Sequence, residues 1–389
     1  LLIEDWKINI LGDFVEESKR NYTDRQMIYF LNNIESIGNR NILKIYDKIR
    51  PLEKILYMKN EEILDIVDIA PFRLEDIREQ QGKIEKMLED MDKLKDRNIK
   101  FITFLDEDYP DKLVYIDNKP VCLYVIGEID KYMFNTPTVA IVGSRATSNY
   151  GREMTRYIAS SLAKSGIDIV SGMAYGVDSL AHEEALKEGV RTYAVLGCGI
   201  NICYPKENMH IYEAIKNTKR GAIISEFPLS MEPRSYNFPM RNRIISALSD
   251  LVIVIEAKLK SGSLITATCA LEQGKEVYAL PGRFTDGFSK GCNRLILDGA
   301  GIITSIDDII ESLGLIREKS LPLIEKNYNT LANNEKIVYS CLDFTPKHLE
   351  YIIEKTGLTY SEVISIILEL EMRGFIKQIS GNYYAKSCD

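Results

Sequence analysis

The sequence predicts an α/β protein in which a doubly wound parallel sheet stands between a helical N-terminal region and a winged-helix-like tail. Three observations carry this expectation. Residues 137–310 alternate short apolar runs with amphipathic stretches and hold nothing resembling a linker, the pattern of strands covered on both faces by crossover helices. Residues 1 to about 75 space their apolar side chains at helical intervals. From Asn333 the chain offers three helical segments and then a short hairpin. At 389 residues, 45% hydrophobic and 27% charged, it can build two or three well-packed domains.

In chain order, Ile28, Leu31, Ile34 and Ile37, then Ile42, Leu43 and Ile45, fall on helix faces on either side of Gly38. A helix-hairpin-helix is one reading of residues 1–75. Arg40 stands where that motif has its second glycine, and the arm is acidic, so a structural or protein-docking unit is favoured over DNA binding. Residues 76–98 are expected to form one charged bridging helix. The domain expected over 99–316 opens with strand-like runs at Ile99–Leu105 and Cys122–Ile126. Further strands read as Thr138–Val142, Ile167–Ser171, Thr192–Leu196, Ala222–Ser225, Leu251–Ile255, Glu276–Ala279 and Gly301–Thr304. Between them lie helices at Glu153–Lys164, Val177–Glu188, Asn208–Asn217, Arg243–Leu248 and Ile265–Gln273. Residues 317–332, polar and broken by proline, read as a linker.

The tail, 333–389, reads as helices Glu335–Leu342, Pro346–Lys355 and Tyr360–Met372, then strands Phe375–Ile379 and Tyr383–Ala385. Its third helix carries Glu362, Glu369 and Glu371 against a terminal Arg373. Duplex phosphates would repel it, so protein contact or scaffolding suits this winged helix better than groove reading.

Bulk properties remove several function classes. No run of eighteen apolar residues occurs, so no membrane span is expected. The start, LLIEDWKINI, has acids where a signal peptide has lysines. Seven scattered cysteines, with only Cys198 and Cys203 close together, fit reduced thiols in a cytoplasmic protein rather than a zinc site. The net charge of −8 is unevenly distributed. Lys and Arg number 21 against 28 acids over 1–136, 19 against 18 over 137–310, and 9 against 11 over 311–389. A focused basic groove in the middle is therefore compatible with an acidic chain.

Five predicted strands end in residues suited to an anion. The first opens onto Gly143, Ser144, Arg145 and Ser148, and the second onto Ser171 and Gly172, with Asp178 and His182 one turn apart on the next helix. The third leads to Tyr204-Pro205-Lys206. The fourth, through Glu226, leads to PRSYNFPMRNR at 233–243, and the fifth to Ser261-Gly262-Ser263 and Thr266. In a parallel sheet these ends share one edge, where glycine turns and helix N-termini present amides to phosphate. In 233–243, Arg234, Arg241 and Arg243 flank Tyr236 and Phe238: guanidiniums for phosphates, rings for unpaired bases. Pro239 and polar neighbours place Phe238 in a loop. Asp178 reads as a capping residue and His182 as a packed one rather than an acid–base pair, and Glu226 as an ion-pair partner. Phe288 stands where a Walker lysine would be required, so ATP hydrolysis is unsupported.

GSR at 143–145, SGMAYGVDSLAH at 171–182, YPKEN at 204–208, SEFP at 225–228, FPMRNRIISALSD at 238–250, EAKLKSGSLITA at 256–267, LPG at 280–282 and GCNRLILDGA at 291–300 resemble the DNA-processing protein DprA (Smf) family. The flanks resemble the family's sterile-alpha-motif-like and winged-helix domains. The resemblance implies an extended Rossmann-like fold, no cofactor, and a homodimer that binds single-stranded DNA. It also implies that the protein protects incoming strands and loads RecA, on strands coated by single-strand-binding protein, during natural transformation. It places Gly143, Ser144, Arg145, Ser148, Lys206, Arg234, Phe238, Arg241 and Arg243 on the DNA face, with one of Arg241 and Arg243 a candidate loop brace. Ser171, Gly172, Glu226, Ser261, Gly262, Ser263 and Thr266 are expected to line the pocket. The enzymatic alternative is a nucleotide-binding or nucleotide-hydrolysing protein of the lysine-decarboxylase-like group, which needs a glutamate where Cys269 stands; Glu272 comes almost a turn later.

Overall fold

The computed structural model describes residues 21–129, 136–218, 220–229, 231–315 and 331–387, so the expected linker lies almost wholly outside them. The chain divides into two compact units, Leu1–Tyr109 with Asp117–Tyr124, and Pro110–Ile116 with Val125–Asp389.

The first unit holds α1 (Asp24–Asn32), α2 (Asn39–Lys48), α3 (Asn60–Ile66), α4 (Pro71–Gln81) and α5 (Ile84–Asp92), then β1 (Ile99–Thr103) and the first half of β2 (Cys122–Gly127). Thr23 and Gln26 close a capping box at the start of α1, satisfying orphan amides reciprocally. Ile28, Leu31, Ile34, Ile37, Ile42 and Ile45 are buried, as their spacing requires. The single bridging helix expected over 76–98 is not formed. Two helices flank Gly82, and Leu74, Ile77, Ile84 and Leu88 give them a buried face. The density of charge hid four core positions at helical spacing.

Among the described residues of the second unit, which also holds the short α6 (Asp111–Val114), seven parallel strands carry the sheet. They are β3 (Thr138–Val142), β4 (Asp168–Ser171), β5 (Thr192–Val195), β6 (Gly221–Ser225), β7 (Leu251–Val254), β8 (Glu276–Ala279) and β9 (Gly301–Ile302). Their order is β6-β5-β4-β3-β7-β8-β9, with the second half of β2 beside β6. The chain builds outward from β3 to β6, then crosses back to place β7 on the other side of β3. That reversal makes the carboxyl ends of β3 and β7 the topological switch point, where open α/β sheets bind ligands.

The crossover helices are α7 (Asn149–Lys164), α8 (Val177–Glu188), α9 (Met209–Thr218), α10 (Asn237–Leu248) and α11 (Gly262–Glu272), followed by α12 (Lys290–Leu297) and α13 (Ile306–Ser312), which sequence periodicity did not single out. Val139, Ile141, Ile169, Ile253 and Ile255 pack against Ile158, Leu162, Val177 and Ala181 in one core. All are fully or almost fully buried, each Val, Ile or Leu side chain contributing about 1.5–3 kcal/mol relative to exposure.

The tail is a winged helix: α14 (Asn333–Ser340), β10 (Lys347–His348), α15 (Leu349–Thr356), α16 (Tyr360–Met372), β11 (Ile376–Ser380) and β12 (Tyr383–Lys386). Val338, Leu349, Ile352, Val363, Ile367 and Leu370 form its core. β10 adds a third strand to the expected hairpin, in the order β10-β12-β11; two residues are too few to leave an alternating pattern.

Candidate nucleic-acid interface

A cavity of ≈320 Å³ opens at the switch point, between the β3–α7 turn, the start of α10 and the β7–α11 turn. Glycine shapes the first turn. A Cβ on Gly143 would lie 2.6 Å from Val177 Cγ2, and one on Gly176 (φ 78°) 2.4 Å from the Ser144 carbonyl oxygen, so only glycine allows these backbones to meet. Ser144 Oγ donates to Ala146 O at 2.9 Å and accepts from Ala146 N at 3.2 Å, closing the turn on itself and leaving Arg145 exposed on its crest. Across the cavity, Ser261 caps α11 through Ser263 N, and the two hydroxyls lie 2.8 Å apart. Thr266 is 1% exposed and lines the same wall. Gly143, Ser144, Arg145, Phe238, Ser261, Gly262, Ser263 and Thr266 are thus brought together at one rim.

Phe238 lies in the first turn of α10, not in a loop. The helix begins six residues before the expected Arg243, because proline is tolerated in a first turn where its amide would have no intrahelical partner. The Phe238 ring packs over Gly197, where a Cβ would approach to 2.8 Å. The Arg145 guanidinium carbon is 5.2 Å from the ring centroid, and Tyr204 lies 5.7 Å from it at an interplanar angle of 34°. Cation, ring and ring therefore form one row. Lys206, exposed, heads the short turn after Tyr204. Arg234, also exposed, donates to Tyr236 Oη at 2.7 Å. Both lie outside the cavity lining.

Several expected contacts are corrected by burial. Arg241 is 4% exposed and forms part of the cavity floor. It donates to Gly172 O at 2.6 Å, to Val195 O, and to Asn242 Oδ1 at 3.1 Å, which ties together the ends of β4 and β5. Burial lowers its pKa to about 10, partly offset by Asp178. Arg243 donates from both terminal nitrogens to Glu226, at 3.0 and 2.6 Å, with both side chains buried. Neither arginine is on the open face. Ser148 is also committed: its amide and hydroxyl both donate to the buried Glu256, while its Oγ accepts from Gly151 N at 3.0 Å. A carboxylate already occupies the N-terminus of α7, so no phosphate is accommodated there. Ser171 is fully buried and donates to Ile141 O at 2.7 Å; Gly172 lies under the Arg241 guanidinium. These residues support the wall without lining it.

Asp178 accepts from Gly172 N and Ala174 N at 3.2 and 3.4 Å, which fixes the β4–α8 loop. Burial raises its pKa, and Arg241 opposes the rise. His182 is fully buried against Thr192 Oγ1 at 2.6 Å. Glu272 ends α11, six residues beyond Thr266, about 9 Å along the helix axis.

Sequence reasoning passed over Lys258 and Lys260, exposed cations on the β7 side of the cavity, and named Tyr204 in its loop without pairing it with Phe238. The lysines carried a usable signal: two cations two residues apart immediately before a serine–glycine turn.

A family model described as DNA recombination-mediator protein A matches residues 100–314, and a DprA winged helix domain model matches residues 325–382. Protein Smf of Escherichia coli strain K12 is 39% identical over 284 residues, covering 71% of this chain and 75% of the relative. DNA processing protein DprA of Streptococcus pneumoniae is 43% identical over 213 residues, 54% of this chain and 74% of the relative. The X-ray structure of DNA processing protein A from Streptococcus pneumoniae superposes with a TM-score of 0.62 at 32% identity, covering 75% of this chain and 98% of that one.

Proposed function

The chain belongs to the DNA recombination-mediator protein A family, which includes the DprA and Smf proteins, and from that membership we propose that it binds single-stranded DNA along the carboxyl edge of its parallel sheet and hands the strand to RecA. Its role in DNA processing as a recombination mediator follows from the family. The observation that supports the finer reading is the Arg145–Phe238–Tyr204 row at the rim of the switch-point cavity. Stacked rings and an exposed guanidinium suit unpaired bases joined by phosphates. A duplex offers phosphates to the cation but hides its base faces from the rings.

In this reading Arg145, Lys206, Lys258 and Lys260 meet phosphates and Phe238 meets a base, with Arg234 at the approach. The protein works as a homodimer in the cytoplasm, protects incoming strands during transformation, and acts on strands coated with single-strand-binding protein. The boundaries expected at 316 and 332 belong to the same proposal, whereas α4 (Pro71–Gln81) runs through 75 and the first unit continues past 98. Binding is favoured over hydrolysis because Asp178 and His182 are buried and engaged, and Glu272 ends the helix whose opposite end meets the cavity.

The test is RecA filament growth on single strands coated with single-strand-binding protein. Acceleration by stoichiometric protein is expected. Failure to accelerate, with strand binding intact, would reduce the role to a DNA-binding module.

A further inference from the structure

Lys258 has two neighbourhoods. It lines the cavity at the end of β7, and its ammonium lies 4.8 Å from the centroid of Phe288, a residue of the loop between β8 and α12. That loop is tied to the end of β7. Phe288 O accepts from Ala257 N at 2.8 Å, and Ala257 O accepts from Gly291 N at 2.7 Å. Within the loop, Phe288 N donates to Asp286 Oδ1 at 2.9 Å. The backbone is therefore fixed against the strand end that carries Lys258. On the same loop Phe284 is 85% exposed, and Lys290 is exposed at the start of α12. Arg283 is engaged elsewhere, donating to Thr345 Oγ1 at 2.9 Å.

We propose that the β8–α12 loop is a second stacking station for single-stranded nucleic acid. Phe284 is its platform, Lys260 and Lys290 are its phosphate contacts, and Phe288 is a positioning residue that holds Lys258 between the station and the cavity. This rests on the single-strand reading and extends it. An isolated exposed ring is ordinary on a protein surface; a ring on a loop anchored beside the cavity, with exposed Lys290 at the end of that loop and Lys260 on the β7–α11 turn, fits base and phosphate together. The sheet order supplies the path. Tyr204 follows β5 and Phe284 follows β8, and β5-β4-β3-β7-β8 are consecutive neighbours. Four strand spacings come to about 19 Å, so only a strand of several nucleotides reaches from that row to Phe284. The row from Tyr204 to Arg145 covers only half of that width.

Fluorescence anisotropy with oligothymidylates of about three to twelve nucleotides, a range spanning common single-strand site sizes, tests the proposal. Wild-type affinity is expected to rise with length until the strand spans both stations and then flatten, whereas Phe284→Ala flattens at a shorter length. For the longer strands the loss is on the order of five- to a hundred-fold, the range set by one stacked base. Lys290→Gln should lower the salt slope for long strands only. Because Phe284 is so exposed, its truncation leaves the core intact, which a matched thermal melt verifies. Superimposable length curves for wild type and Phe284→Ala would overturn the proposal. Absence of wild-type binding at every length would instead sink the single-strand reading itself.

Discussion

The Arg145 guanidinium stands 5.2 Å from the centre of the Phe238 ring, so one exposed cation and one stacking surface share the cavity rim. Their contributions to binding separate by salt. Phe238→Ala should weaken single-strand binding by about 1–3 kcal/mol with little change in salt slope. Arg145→Ala should lower affinity and also flatten the slope by about 0.7, the counterion release of one phosphate contact on a single strand. Filter-binding titrations at several salt concentrations check both. Unchanged affinity in both variants would remove this rim as the site.

Glu226 and Arg243 form a buried two-point pair. Cutting either side strands the other charge, so Glu226→Ala and Arg243→Met should each destabilise the fold by about 3–5 kcal/mol, and the double variant by less than their sum. Urea unfolding measures this. The folded Arg243→Met protein should keep the wild-type salt slope. A slope lowered by one counterion would put Arg243 back on the DNA face.

What was legible in the sequence divides along physical lines. The seven parallel strands could be read because strands buried on both faces are continuous apolar runs, as in Thr138–Val142 and Leu251–Val254. The converging glycine and serine turns could be read because strand ends in a parallel sheet share an edge. Charge, in contrast, does not announce burial. Arg241 and Arg243 resemble Arg145 in sequence, yet α10 turns them inward, where Gly172, Val195 and Glu226 absorb their donors. Nor could the sequence show that Ser148 answers to Glu256, 108 residues away. Phe238 was found as a residue type and misplaced as a loop residue, since Pro239 marks a helix start as readily as a helix break. Lys258 and Lys260 went unweighed because their importance comes from facing Arg145 across the switch point.

Acid should expose the state of His182. Thr192 Oγ1 donates to Ile169 O at 3.1 Å, so the 2.6 Å contact with His182 Nδ1 requires the proton on Nδ1 and leaves Nε2 bare. Among the described residues Nε2 has no hydrogen-bond partner, a tolerable arrangement for a neutral ring and a poor one for a cation. Burial, reinforced by Arg241, lowers its pKa from 6.5 to about 3. Between those values the unfolded chain binds a proton that the folded chain refuses. The associated stability is therefore fully present above pH 6.5 and is lost as pH falls, by about 2 kcal/mol between pH 6.5 and 5. Asp178, one turn earlier, works in the opposite sense, because its raised pKa lets the folded state take up a proton first. The comparison with His182→Gln, which retains Asp178, isolates the imidazole. Urea titrations at pH 7 and pH 5 should show the wild type losing about 2 kcal/mol more than the variant. Equal losses in the two proteins would mean that His182 is charged in the folded state.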